Sequence, residues 1–219
     1  MIKENIKNIL QQLPVGVELV VAAKGRGIAE VEEVISSGAN IIGENYVQEA
    51  AKKFAVIGRK ARWHCIGHLQ RNKVKLAVQI FDVIETLDSF ELAVLLDNEC
   101  KKINKIMSVL LEVNSGDEKQ KNGITFEALD DFIAKVTPLS HIKAMGLMTM
   151  GPLVSNPEAM RPFFRKTKET FLKIKNGCSQ PADWKYLSMG MSDTYRIAIE
   201  EGANIVRIGT AIFGPRAKV

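Results

Sequence analysis

Lys24 stands at the end of a short apolar run, Leu19-Val20-Val21-Ala22-Ala23. A second run late in the chain, Val206-Arg207-Ile208-Gly209-Thr210, carries an arginine, then a glycine and a hydroxyl. Read as strands, the first delivers a primary amine to its carboxyl end. The second delivers a cation, a residue that lets the backbone approach closely, and a hydrogen-bond donor. An amine of this kind forms an imine with an aldehyde, and a small-residue loop with donors holds a phosphate.

A third segment strengthens the phosphate reading. Gly190-Met191-Ser192-Asp193 runs into a helical pattern, so backbone N–H groups and the Ser192 hydroxyl are available to an anion. The alternative is that Ser192 or Asp193 is a helix N-cap, and both roles are compatible. Arg207 shares strand parity with Ile205 and Gly209, opposite to Val206 and Ile208. If it faces inward it needs a partner, because an unpaired buried charge is costly. A pyridine nitrogen, a phosphate or a neighbouring acid would each serve. An aldehyde partner for Lys24 combined with a phosphate loop points to pyridoxal phosphate.

These residues need elements to position them. Short apolar runs alternate with helical periodicity along the whole chain. The strand candidates are Leu19–Ala23, Asn40–Gly43, Trp63–Ile66, Val83–Thr86, Met107–Val113, Ile142–Met148, Trp184–Ser188 and Asn204–Ile208. Amphipathic stretches such as Ile28–Ser37, Ser89–Ile103, Thr125–Val136, Pro157–Lys175 and Asp193–Glu201 separate them. Strands alternating with helices imply a parallel sheet, and eight strands close a (β/α)8 barrel. An internal echo, Ser37-Gly38-Ala39-Asn40-Ile41-Ile42 and Glu201-Gly202-Ala203-Asn204-Ile205-Val206, repeats one helix stop and strand start. An open doubly wound sheet is the alternative. With no linker or composition break, residues 1–219 read as a single domain.

In such a barrel, functional residues gather where strands end on the carboxyl face. Lys24 follows the first strand and Asn45 the second. His68 follows the third, and Met148 and Thr149 close the sixth. Ser188 to Ser192 end the seventh strand, and Arg207 to Thr210 the eighth.

The composition is that of a globular domain with a sizeable core: 46% hydrophobic and 25% charged residues. A net charge of +5 permits nucleic-acid contact, yet the charges are interspersed and no aromatic stacking platform is evident. The densest basic groups, Lys101-Lys102 and the stretch from Lys119 to Lys121, have acidic flanks. Three cysteines, Cys65, Cys100 and Cys178, form no Cys-x-x-Cys pair, which suits a reducing compartment. Residues Met1 to Leu13 read as an amphipathic helix and not as a signal peptide, and no run approaches membrane-spanning length. A cytoplasmic location is expected.

Other constellations carry less. Gly25-Arg26-Gly27 lacks the third glycine of a dinucleotide fingerprint, because Glu30 stands there. His64 and His68 have metal-like spacing but fall on a strand and its loop, without a third ligand. Met145, Met148, Met150, Met189 and Met191 are most simply packing residues.

Several longer motifs carry a family resemblance. Ala22-Ala23-Lys24, Ile42-Gly43-Glu44-Asn45-Tyr46-Val47-Gln48-Glu49 and Trp63-His64-Cys65-Ile66-Gly67-His68-Leu69-Gln70-Arg71-Asn72-Lys73 resemble the pyridoxal phosphate homeostasis proteins (the YggS-like family). So do Gly146-Leu147-Met148-Thr149-Met150, Leu187-Ser188-Met189-Gly190-Met191-Ser192-Asp193 and Val206-Arg207-Ile208-Gly209-Thr210-Ala211-Ile212-Phe213-Gly214. The resemblance spans nearly the whole chain in order. It implies an alanine-racemase-like barrel holding pyridoxal 5′-phosphate, with Lys24 as the imine lysine. It places Met191, Ser192, Gly209 and Thr210 around the phosphate, Arg207 by the pyridine nitrogen and Asn45 near the cofactor. Ala23 and Gly25 stand where many members carry serine and threonine, and His68 where many carry proline.

The expected function is that of a pyridoxal-phosphate carrier or buffer, a non-enzyme that supplies the cofactor, with dependent apo-enzymes as partners and the monomer as the working form. The alternative is a pyridoxal-phosphate amino-acid racemase; an RNA-binding role rests on the pI of 9.0 alone. Racemases of this barrel take a second acid/base, a tyrosine, from an additional C-terminal domain. The sequence is expected to have no room for one after Thr210, which leaves Tyr46, Tyr186 and Tyr195 as the available phenols.

Overall fold

A computed structural model describes residues 1–118, 122–177 and 183–215. Cys178 and the basic stretch from Lys119 to Lys121 lie outside the described residues. The chain opens with α1 (Ile2–Gln12), β1 (Glu18–Ala22), α2 (Ile28–Ser36) and β2 (Ile41–Glu44). It continues through α3 (Val47–Ile57), β3 (Arg62–Cys65), α4 (Val74–Ile80), β4 (Val83–Leu87) and α5 (Phe90–Lys102). Next come β5 (Met107–Glu112), α6 (Leu129–Val136), β6 (Ile142–Met148) and α7 (Arg161–Gly177). The last elements are β7 (Tyr186–Ser188), α8 (Tyr195–Glu200), β8 (Ile205–Ile208) and the single turn α9 (Thr210–Phe213).

The eight strands pair in parallel, in chain order, and β8 closes onto β1 with Val21 opposite Ile208. The sheet is therefore a closed (β/α)8 barrel, and the open doubly wound alternative is excluded. Closure explains why the strands read as short, largely apolar runs: both faces are covered. One face of each strand looks outward. Leu19, Val21, Ile42, Trp63, Ile84 and Val206 pack beneath the helices in the larger core. The other face fills the barrel with Val20, Ile41, Ile66, Val83, Leu110, Met145, Met148 and Ile205.

Toward the carboxyl ends the filling changes from apolar to polar. His64, Glu85, Ser188 and Arg207 are all buried, and all belong to the strands' inner face or its hydrogen-bond network. The parity argument for Arg207 is resolved: it points inward.

Candidate functional site

A cavity of about 230 Å³ opens between the carboxyl ends of β1, β7 and β8. Five residues singled out in the sequence line it: Met191, Ser192, Arg207, Gly209 and Thr210. Ala22, Arg26 and Asp193 complete the wall.

The two loops that form it are tied together. Ser192 Oγ accepts from the Ala211 N–H at 3.2 Å, joining the β7–α8 loop to the start of α9. Neither Ser192 nor Asp193 is the helix cap; that position belongs to Thr194, whose hydroxyl accepts from the Met191 N–H at 3.1 Å. Among the described residues, no protein group accepts from the N–H of Ser192, Asp193 or Thr210. Gly209 fits closely against its neighbour on β1: a Cβ there would lie 3.0 Å from the Ala22 carbonyl oxygen. The glycine thus lets β8 close against β1, a role distinct from approach to an anion.

Arg207 is held from behind. Its Nη1 donates to Ser188 Oγ at 2.6 Å and its Nη2 to the Thr149 carbonyl at 2.8 Å. Glu85 stands 3.8 Å away. Ser188 donates to Glu85 Oε2 at 2.6 Å, and His64 Nδ1 meets Glu85 Oε1 at 2.6 Å. Burial lowers the Arg207 pKa, while the charges of Glu85 and Glu112 oppose that. Burial by itself would raise the Glu85 carboxyl, but the His64 hydrogen bond and the charges of His64 and Arg207 bring it below the ordinary range. Glu112, at the end of β5, is pushed up to about 7 by burial and by Asp88. The acid and the cavity are thus both partners open to Arg207.

Lys24 lies two residues beyond Ala22, at the mouth and half-buried. Its Nζ sits 4.8 Å from the centroid of the Tyr46 ring. Gly25 follows with φ +70°, a left-handed conformation that a threonine would adopt only with strain. Asn45 lies outside the phosphate-side cavity; with Gly67, His68 and Lys73 it lines a neighbouring one after β2 and β3. Lys24 and Asn45 are therefore placed beside the cavity and not among its lining residues.

His64 and His68 are not a metal pair. The first is buried against Glu85, and the second is exposed, 3.8 Å from Asp88. Among the described residues no group of three or more metal-ligating side chains occurs. The methionines divide. Met145 and Met148 fill the barrel and Met189 the outer core, whereas Met150 and Met191 are partly exposed at the mouth.

Arg26 and Glu85 were not singled out from the sequence. A lone acid within the buried run Val83–Leu87 was the available signal for Glu85. Arg26 was visible only as the middle of Gly25-Arg26-Gly27.

Known proteins are similar to this chain in sequence and fold. The family described as alanine racemase, N-terminal domain, matches residues 1–217. The pyridoxal phosphate homeostasis protein of Aquifex aeolicus is 41% identical over 187 residues, covering 85% of this chain and 81% of that protein. The structure of PipY from Synechococcus elongatus with pyridoxal phosphate bound superposes with a TM-score of 0.89 at 30% identity, covering 98% of this chain and all of that one. An alanine racemase of Clostridium difficile shares the fold, with a TM-score of 0.77 at 16% identity over 99% of this chain and 57% of its own. This chain belongs to the pyridoxal phosphate homeostasis protein family, built on the alanine racemase N-terminal-domain barrel.

Proposed function

We propose that this protein binds pyridoxal 5′-phosphate, with Lys24 at the aldehyde end and Ser192, Gly209 and Thr210 at the phosphate end. It acts as a carrier or buffer of the cofactor, without turning over a substrate. The observation that carries the reading is the juxtaposition of Lys24, just beyond β1, with the donor-rich cavity at the ends of β7 and β8, of which β8 neighbours β1 through closure of the barrel. The named family relatives and the bound cofactor of PipY support it.

The residues present fit such a group. N–H donors without a protein acceptor and two hydroxyls suit a phosphate. When bound, pyridoxal phosphate supplies an aldehyde that condenses with a primary amine, releasing water. Lys24 supplies the amine. Arg207, a permanent cation fixed by Ser188 and Thr149, would face the ring nitrogen and keep it without its proton. Met191 covers the phosphate end with an apolar side chain, and Asn45 bounds the mouth on the β2 side.

An unprotonated ring nitrogen is a poor sink for a developing carbanion, which argues against amino-acid turnover. The tyrosines argue the same way. Tyr195 is buried on α8, with its hydroxyl 3.3 Å from Gln12 of α1. Tyr186 begins β7, at the amino end of that strand. Tyr46 lies against Lys24 itself.

No described helix is long and apolar enough to cross a membrane. Cys65 and Cys100 are free and buried. A cytoplasmic monomer that hands the cofactor to dependent apo-enzymes follows from the proposal.

An absorption spectrum of the purified protein with pyridoxal phosphate, followed by borohydride reduction and peptide mapping, tests the binding mode. The adduct is expected on Lys24, and an adduct on any other lysine overturns the assignment. Incubation with L-alanine in deuterated water tests the absence of turnover. Rapid exchange at Cα, lost in Lys24→Ala, would show an enzyme.

A further inference from the structure

Both peptide groups that flank Lys24 are held by side chains of α3. Lys53 Nζ donates to the Ala23 carbonyl at 2.8 Å, and the Gly25 N–H donates to Glu49 Oε2 at 2.8 Å. Glu49 and Lys53 are one helical turn apart, with their charged atoms 3.9 Å from each other, so both reach the same loop. Tyr46, the residue before α3, lies under the Lys24 ammonium. Two residues of α3 and the one before it thus converge on the lysine from its backbone and its tip.

Lys53 is an unusual residue for its place. It is 5% exposed, between α3 and the barrel wall, where an apolar side chain would pack without a desolvation cost. Its charge is neutralised by Glu44 at the end of β2, at 2.5 Å. Burial raises the Glu44 carboxyl above its ordinary range, and Lys53 counters that rise. What the lysine adds over an apolar residue is the bond to the Ala23 carbonyl. The buried pair therefore anchors the end of β1 immediately before Lys24.

We infer that Tyr46, Glu49 and Lys53 are positioning residues for Lys24: Glu49 and Lys53 fix its backbone on both sides, and the Tyr46 ring holds its ammonium. This deepens the proposed function and rests on Lys24 being the attachment point. Glu49 is the best residue to change, because it is half-exposed and its loss leaves the Glu44–Lys53 pair intact.

The test uses the full chain carrying Glu49→Ala, Glu49→Gln or Tyr46→Leu, the two Glu49 changes also being combined with Lys24→Ala. In Glu49→Ala, hydrogen exchange at the Gly25 amide is expected to rise about tenfold, with pyridoxal-phosphate affinity by calorimetry falling by a similar factor. Glu49→Gln keeps an acceptor oxygen and should restore most of both. In the Lys24→Ala background, Glu49→Ala should change affinity no further, because its effect passes through the lysine. Tyr46→Leu should speed reductive methylation of Lys24 by about two- to fivefold in protein without cofactor. An equal loss of affinity in the Lys24→Ala background, unchanged exchange at Gly25, or unchanged methylation of Lys24 overturns the inference. If the parent protein binds no pyridoxal phosphate, the proposed function fails, and the exchange and methylation results still decide the clamp.

Discussion

Arg207 and Ser188 meet inside the barrel at 2.6 Å, guanidinium to hydroxyl, and the single proton of that hydroxyl is committed to Glu85. The direction of every bond in this chain is thereby fixed. Arg207 can only donate to Ser188, and Ser188 can only donate to the acid. The arginine at the cavity wall is oriented by an acid it does not touch within hydrogen-bond distance.

Arg207→Met should be strongly destabilising, because it leaves the buried Glu85 carboxylate with His64 alone as its counter-charge. Breaking a buried pair in this way costs roughly 3–5 kcal/mol. Urea denaturation at neutral pH reads the loss. Acidification should narrow the gap, since protonating Glu85 removes the buried charge.

Stability should fall as pH rises from about 4.5 to about 7 by the contribution of Glu112. Its carboxyl is raised from 4.5 to about 7, so in that window the folded state holds a proton that the unfolded state has released. The destabilisation grows by about 1.4 kcal/mol for each pH unit crossed and stops growing above the folded pKa. Glu112→Gln, measured by denaturation at pH 5 and pH 8, should be near neutral at the lower pH and stabilising at the higher.

Lys24→Ala should abolish covalent attachment of pyridoxal phosphate while retaining weaker binding, since the donors of Ser192 and Thr210 do not depend on the amine. Calorimetry and the absorption spectrum separate the two effects. Equal affinity in the variant and the parent would remove Lys24 from the site.

Gly209→Asp should eliminate binding by placing volume and negative charge beside the phosphate end. Gly209→Ala is the sharper comparison. Its methyl meets the Ala22 carbonyl at 3.0 Å, so the β1–β8 contact must give by a few tenths of an ångström. A modest loss of thermal stability is expected with Ala, and a loss of binding far exceeding it with Asp.

The barrel was legible in the sequence because burial on both faces leaves strands as apolar runs. Ile142–Met148 agrees with the structure at both ends, and the other seven strands differ by a residue or two. Helix starts were less legible. Thr125–Val136 reads as one amphipathic stretch, but α6 begins at Leu129. Pro157–Lys175 is a 3-10 turn at Pro157–Met160 leading into α7. The phosphate-side residues were legible because they follow β7 and β8, consecutive strands that pair directly, while closure of β8 on β1 brings Lys24 beside them. The linkage of His64, Glu85 and Ser188 was not, since partners 103 residues apart meet only inside the closed barrel. Asn45, legible as a strand-end residue, lies in a separate cavity because its loop turns toward β3.

Lys24 and Thr210 are carried by two strands locked in register, with Val21 beside Ile208. Neither strand can slide without breaking the barrel, so the backbone that carries the amine and the backbone of the anion cradle keep a set separation. If Lys24 and the loops after β7 and β8 hold the two ends of pyridoxal phosphate as proposed, the mouth works as a gauge. A molecule gripped at both ends must hold its carbonyl and its anionic group at that spacing, and one lacking either group is gripped at a single end. Two-point attachment raises affinity far beyond either contact alone. On the proposed site, discrimination between phosphorylated and unphosphorylated forms of one aldehyde would rest on the donors of Ser192 and Thr210 at the far end, with the strand pairing setting where that end lies.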